Sequence, residues 1–205
     1  MAISILAGGL AYKKLGEPTR QVFLMVVLAL ITEILGILVA KLNPTHNNML
    51  VFYIANPIEF ALIISFYIKA ISTRTAKYTG AGLISSYILV SLLNILLLHQ
   101  HPDTSFYFTI AKGLGITTFS LWYLTSIFTV SDTYLEIKIS QLVITIGLLF
   151  FYSFSAIYFS IYIFEVYDGG NLSLLKQIRP LLFIVYMVLQ LSILLTFIQI
   201  LRNKW

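Results

Sequence analysis

The sequence predicts an all-α fold, a polytopic transmembrane helix bundle, from its composition and from the length of its apolar runs. Of the 205 residues, 59% are hydrophobic and only 10% are charged, and the mean hydropathy is +0.93. Soluble domains carry about 25% charged residues, so this chain has too few polar groups to cover a surface in water. We therefore expect the lipid bilayer to surround most of it.

Six apolar runs are long enough to cross a bilayer as helices, since a hydrocarbon core of about 30 Å needs about 20 helical residues. They cover residues 21–40, 50–71, 80–98, 105–130, 139–164 and 180–201. None shows the alternation of polar and apolar residues that is typical of a membrane strand. A seventh run, 1–12, is too short to cross and is interpreted as a half-helix or a clipped first span. The connections are short, so residues 1–205 are expected to form a single transmembrane domain.

The positions of Lys and Arg predict the orientation of the bundle, because cytoplasmic connections carry an excess of both. If the connection 13–20 is cytoplasmic, the basic residues of the inner connections are Lys13, Lys14, Arg20, Lys69, Arg74, Lys77, Lys138, Arg202 and Lys204. The outer connections then carry only Lys41, Lys176 and Arg179. This asymmetry predicts an N-terminus outside and a C-terminus inside. It also explains the net charge of +5 without a nucleic acid partner.

Several polar side chains fall inside the predicted spans, where an Asp, Lys or Arg near the centre costs about 2.5–3.5 kcal/mol. They are Glu33, Asn56, Glu59, Asn94, Lys112 and Gln190. At the helical rise, the first five lie in the outer half of the bilayer, with Glu33 and Glu59 nearest the midplane. Residues of this kind usually face the interior of a bundle and pair with one another.

The neighbours of these residues also predict that they face the interior. Glu33 shares a helical stripe with Ala29, Gly36 and Ala40, and small residues allow a neighbouring helix to approach closely. A second stripe, on the span 80–98, consists of the polar residues Tyr87, Ser91 and Asn94.

Two interpretations of this polar group stay open. In the structural one, Lys112 neutralises Glu33 or Glu59, and the asparagines bond neighbouring helices. In the functional one, the same residues line a pocket that opens to the outside and binds a ligand, an ion or a proton, because two acids and one base leave one carboxyl group unmatched. The candidates for a ligand-binding or ion-pair site are Glu33, Asn56, Glu59, Asn94 and Lys112.

Residues that commonly serve catalysis or metal binding are poorly placed for either task. The chain has no cysteine, and His46, His99 and His101 all lie at the outer ends of the spans. They are only weak candidates for zinc ligands, and no histidine lies on a span to activate a serine there. A retinal protein needs a lysine on its last span, and residues 180–201 contain none. We therefore expect no retinal and no cofactor, and a non-enzymatic role is favoured.

Three short segments carry a resemblance to known sequences. They are Tyr12-Lys13-Lys14-Leu15, Thr32-Glu33-Ile34 and Tyr53-Ile54-Ala55-Asn56-Pro57-Ile58-Glu59-Phe60. They resemble a group of uncharacterised bacterial multi-pass membrane proteins, in which a basic connection precedes an acidic span and the next span carries a Pro-Ile-Glu-Phe-like element. Members of the group tend to have a complete first span, so residues 1–12 look shortened. The resemblance implies no activity, but it adds emphasis to Glu33 and Glu59.

These observations support three hypotheses. The first is a non-enzymatic protein of the bacterial cytoplasmic membrane that binds or senses something in an outer polar pocket, with a membrane or cytoplasmic protein partner. The second is a small ion- or proton-coupled transporter that uses Glu33, Glu59 and Lys112. No internal repeat is evident, which counts against a transporter built from inverted halves. The third is a membrane-embedded lipid-modifying enzyme.

Overall fold

A computed structural model describes residues 1–42, 49–97, 104–129, 135–167 and 173–202. Within these ranges all regular secondary structure is helical and there is no strand, which confirms the predicted all-α class. The helices are α1 (Ala2–Ala11), α2 (Glu17–Leu42), α3 (Met49–Ile71), α4 (Arg74–Leu97), α5 (Thr104–Thr129), α6 (Leu135–Tyr167) and α7 (Ser173–Arg202). A 3-10 turn, Tyr12–Lys14, joins α1 to α2.

Five of the described helices are long and apolar enough to cross a membrane, namely α2, α3, α4, α6 and α7. They indicate a membrane-embedded protein. Helix α5 is as long as α2, with 26 residues each, but Lys112 and many hydroxyl side chains make it less apolar. The crossing of α5 and the orientation of the bundle therefore stay predictions. The short first helix is confirmed, since α1 has only 10 residues.

The observed helices extend beyond the apolar runs that predicted them. Helix α4 begins at Arg74 and α7 at Ser173, whereas the runs begin at residues 80 and 180. The additional turns carry exposed Lys77, Lys176 and Arg179. Hydropathy detects only the part of a helix that lies in hydrocarbon, while the helix itself continues into the polar interface.

The helices pack into two compact units, Met1–Pro102 and Asp103–Trp205, here called the amino-terminal and the carboxy-terminal unit. In the amino-terminal unit α2 packs against α1 and α3, and α3 packs against α4. In the carboxy-terminal unit α6 packs against both α5 and α7. The single domain predicted for residues 1–205 stays a prediction.

Helix α3 supplies much of the core of the amino-terminal unit. Its fully buried residues include Phe60, Ile64 and Tyr67. Helix α4 approaches α3 closely at Gly80, where an added Cβ would lie 2.6 Å from the Ile68 side chain. Between the two helices, Ser72 adopts the left-handed conformation (φ 56°), which commonly terminates a helix.

Glycines bring the helices of the carboxy-terminal unit together in a similar way. A Cβ on Gly113 of α5 would lie 2.8 Å from the backbone oxygen of Tyr152 on α6. A Cβ on Gly147 of α6 would lie 3.1 Å from the Ser192 side chain on α7. Small residues on membrane helices permit this close approach of backbones, so α6 is held tightly on both sides.

Candidate functional site

A row of polar side chains on α4 faces the interior of the protein. Tyr87, Ser91 and Asn94 follow one another at helical spacing and all three are buried. The large apolar side chains that lie between them along the helix, such as Leu89 and Leu92, are more than half exposed. This confirms the orientation of the polar stripe that the sequence predicts.

Asn94 is the residue of this row with unused hydrogen-bonding capacity. Its side chain is only 3% exposed, and neither its amide nitrogen nor its amide oxygen has a partner among the described residues. Buried amides are nearly always hydrogen-bonded, and hydrocarbon supplies no water to replace a missing partner. The structural interpretation, in which Asn94 bonds a neighbouring helix, therefore finds no support in the described part of the chain.

Helix α3 presents further polar groups to the same row. The rings of Phe60 on α3 and Tyr87 on α4 are in contact, with centroids 4.4 Å apart. The preceding residue of α3, Glu59, carries a carboxylate that lies within electrostatic range of the Tyr87 hydroxyl. Asn56 lies one turn from Glu59 on α3, and since α3 and α4 are antiparallel, it is at about the level of Ser91.

Three of the five sequence-predicted candidates, Asn56, Glu59 and Asn94, therefore lie on the α3–α4 pair. Asn56 and Glu59 are partly buried and both interact with other groups of the protein. The resulting polar surface carries a carboxylate, a phenol, a hydroxyl and two carboxamides. Such a set can donate and accept hydrogen bonds and can attract a positive charge.

Glu33 does not face the interior, so that prediction is wrong. The side chain of Glu33 is exposed, whereas Thr32 and Gly36 on the same helix are buried. Successive helical residues turn by about 100°. The buried face of this part of α2 is centred on Thr32 and Gly36, and Glu33 is therefore turned away from it.

Lys112 is buried in the carboxy-terminal unit, as predicted, with 6% of its surface exposed. Its Nζ lies 5.7 Å from the centroid of the Tyr152 ring on α6, a distance typical of a cation–π interaction. The predicted ion pair with Glu33 or Glu59 would join residues of the two units and stays a prediction.

Polar groups between α5, α6 and α7 form hydrogen bonds that the sequence did not reveal. The hydroxyls of Thr117 on α5 and Ser153 on α6 are 3.0 Å apart. The Tyr123 hydroxyl donates a 2.9 Å bond to Oε1 of Gln141. Neither pair is visible in the sequence, because the partners lie far apart in the chain and pair only through the helix register. Ser160, as expected, donates to a backbone carbonyl of its own helix, that of Ala156.

Three other polar atoms of the carboxy-terminal unit are buried without a hydrogen-bond partner in its described part. They are Thr145 Oγ1, Glu165 Oε2 and Gln190 Oε1. Glu165, which directly follows the predicted span 139–164, lies near the end of α6 and is 8% exposed. Glu165 and Gln190 each have one such atom and Thr145 has its single hydroxyl, whereas in Asn94 both atoms of the carboxamide lack a partner.

The weak metal candidates His46, His99 and His101 lie outside the described residues. Elsewhere, within the described ranges, no group of three or more His, Cys, Asp or Glu side chains could hold a metal ion.

Comparisons of the chain with protein-family models, with curated proteins and with solved structures gave no match. The resemblance carried by the three segments between residues 12 and 60 therefore stays a prediction.

Proposed function

We propose that this chain is a non-enzymatic, multi-pass protein of the bacterial cytoplasmic membrane that binds a small polar ligand on the α3–α4 pair. The ligand-bound state of the protein would then be communicated to a protein partner. The observation that carries the proposal is the Asn94 carboxamide, which is 3% exposed and has no partner for either polar atom among the described residues.

An unpartnered carboxamide in this position weakens the empty protein and strengthens its complexes. A buried donor or acceptor without a partner costs about 1–3 kcal/mol. A ligand that bonds Asn94 removes this cost, and the amide offers it both donors and an acceptor. Ser91 lies one turn below Asn94 on the same face. A small molecule with its own donor and acceptor groups therefore matches the site.

The depth of the row favours access from the outside. Asn94 lies three residues before the end of α4 at Leu97, about 5 Å along the axis at the helical rise. Tyr87 lies seven residues deeper. In the predicted topology this end of α4 is the outer one, so the ligand would reach Asn94 first and the Glu59–Tyr87 region last.

Thermal unfolding of the purified protein in the presence of small polar solutes tests the proposal. Amines, amino acids, amides and polyols are supplied singly to wild type, to Asn94→Leu and to the control Leu93→Ile on the exposed face. A solute at 100 times its Kd adds about 2.7 kcal/mol to the stability of the folded state. We expect one solute class to raise the Tm of wild type and of Leu93→Ile but not that of Asn94→Leu. A rise that persists in Asn94→Leu would contradict the proposal.

A second candidate, a small proton-coupled transporter, is favoured by Glu59, a partly buried carboxyl group on a helix that is apolar enough to cross a membrane. Vesicles that contain the protein and a pH-sensitive dye separate the two candidates. Transport predicts that the same solute acidifies the lumen when it is added outside, and that Glu59→Gln abolishes the signal. Sensing predicts binding without a change in luminal pH.

A further inference from the structure

Glu33 occupies a position on α2 that the proposed ligand site does not explain. It lies sixteen residues after Glu17 and nine before Leu42, the ends of the helix. At the helical rise these separations are about 24 Å and about 14 Å, and the ends of the apolar run 21–40 are still about 18 Å and about 10 Å away, too far for a glutamate side chain to reach either interface. Since α2 is one of the five helices apolar enough to cross a membrane, Glu33 lies in the hydrocarbon region.

The surroundings of Glu33 leave its carboxyl group without compensation. The side chain is exposed, and it forms no ion pair or hydrogen bond with any described residue. The side chains beside it are apolar and exposed as well, including Ile34 at 49% and Ile37 at 53%. An ionisable group facing lipid at this depth costs a few kcal/mol, so this face of α2 is expected to be covered in the membrane.

We propose that the Glu33 face of α2 docks a transmembrane helix of a partner protein that carries a Lys or Arg side chain at the same depth. Charge complementarity selects this occupant. A basic side chain neutralises the carboxylate, whereas a second copy of the chain would bring two carboxylates together and lipid offers no counter-charge. Lys112 of this chain is buried against the Tyr152 ring, and a Lys112–Glu33 pair is the alternative to this occupant. The inference needs only that α2 crosses the membrane, and it holds whether or not the α3–α4 pair binds a ligand.

A synthetic helix serves as the probe for this site. Three leucine-rich transmembrane peptides of about 21 residues carry lysine at the depth of Glu33, lysine one turn nearer the outer surface, or leucine only. Energy transfer is measured in vesicles between each labelled peptide and the protein, which is labelled at an introduced Thr79→Cys because the chain has no cysteine of its own. We expect the first lysine peptide to bind wild type about three- to tenfold more tightly than the leucine peptide.

Two variants assign this preference to the carboxyl group. In Glu33→Leu the two peptides should bind equally, and circular dichroism should show unchanged helicity, since leucine suits an exposed aliphatic face. In the double variant Glu33→Leu/Ile37→Glu the carboxyl group moves one turn, about 6 Å, toward the outer end of α2. The preference should then move to the second lysine peptide.

Three results would overturn the proposal. Equal binding of the lysine and leucine peptides to wild type would show that charge does not select the occupant. A preference that survives Glu33→Leu would place the contact elsewhere. Association of two labelled copies of the protein that depends on Glu33 would make a second copy the occupant. None of these results bears on Asn94, so the proposed ligand site would stand or fall separately.

Discussion

The two units of this protein treat polar side chains in their helices differently. In the carboxy-terminal unit two pairs of polar side chains meet across neighbouring helices, Thr117–Ser153 at 3.0 Å and Tyr123–Gln141 at 2.9 Å, although three other buried polar atoms have no described partner. In the amino-terminal unit the buried row on α4 ends in Asn94, whose carboxamide has no partner among the described residues.

Paired and unpaired polar groups have opposite effects on the stability of the folded protein. Hydrogen bonds between membrane helices contribute about 0.6 kcal/mol each on average, so the paired groups help to hold α5 and α6 together. An unpaired carboxamide does the opposite, because it lowers stability until something binds to it. The proposed function thus assigns ligand binding to the amino-terminal unit, whereas the paired groups of the carboxy-terminal unit hold its helices together.

The largest expected effect concerns the close contact of α5 with α6. Gly113→Ala places a Cβ 2.8 Å from the Tyr152 backbone oxygen, and overpacking of this kind costs about 1–3 kcal/mol. Gly82→Ala is the matched control, since nothing lies within 4 Å of a Cβ there, and it should be neutral or stabilising by about 0.5–1 kcal/mol. Thermal unfolding in detergent measures both. Equal effects at the two glycines would show that α5 and α6 do not approach closely at Gly113.

The next largest effect on stability is expected from loss of the contact between Lys112 and Tyr152. Lys112→Met should destabilise the protein, because the buried ammonium interacts with the ring at 5.7 Å, and desolvated cation–π pairs contribute about 2 kcal/mol. A double-mutant cycle with Tyr152→Leu isolates the contact. We expect a coupling energy of about 1–2 kcal/mol. A coupling near zero, together with a large effect of Lys112→Met alone, would instead favour a carboxylate partner.

We expect the change in stability to have opposite signs when one hydrogen-bonding group is removed from each unit. Tyr123→Phe leaves the buried Gln141 oxygen without its donor and should cost about 1 kcal/mol. Asn94→Leu removes a buried amide that has no described partner, so without ligand it should be neutral or stabilising. Unfolding midpoints of the two variants in the same detergent provide the comparison. If Asn94→Leu destabilises the protein as much as Tyr123→Phe does, Asn94 forms a stabilising hydrogen bond within the protein and is not free to bind a ligand.

The smallest effect is expected at the surface of the amino-terminal unit. Glu17 and Lys69 form an ion pair of 3.5 Å, with Glu17 74% exposed. Exposed pairs of this kind contribute about 0–1 kcal/mol and are screened by salt. Glu17→Gln should therefore lower the stability by less than about 0.5 kcal/mol, and the difference from wild type should vanish in concentrated salt.

Hydropathy predicted most of the fold because the thickness of the hydrocarbon core dictates the length of each apolar run. It could not predict the helix ends, since the additional turns at Arg74 and Ser173 are polar. It also predicted a span at residues 105–130, whereas α5 is not among the five described helices that are apolar enough to cross, because Lys112 and the hydroxyl side chains lower its apolarity.

The sequence predicted the direction of only part of the candidate site, and the depth of the site in the bilayer stays a prediction. A stripe of three polar residues was enough to orient α4, and Lys112 is buried as expected. Glu33 was misassigned because a single acid beside small residues leaves its direction uncertain by one residue, which is about 100° on a helix. The pairs Thr117–Ser153 and Tyr123–Gln141 depend on the register of two helices, which no local pattern encodes.

Reaction of single cysteines with a charged, membrane-impermeant thiol reagent tests whether Asn94 faces a polar pocket that opens to the outside. The chain has no cysteine, so Asn94→Cys and the control Leu93→Cys, at the same depth on the exposed face, each provide one thiol. With the reagent outside the vesicles, we predict that Asn94→Cys reacts at least about tenfold faster than Leu93→Cys, because lipid excludes water and ions. Equal rates, or faster reaction of Leu93→Cys, would contradict an outward-facing polar pocket on the α3–α4 pair.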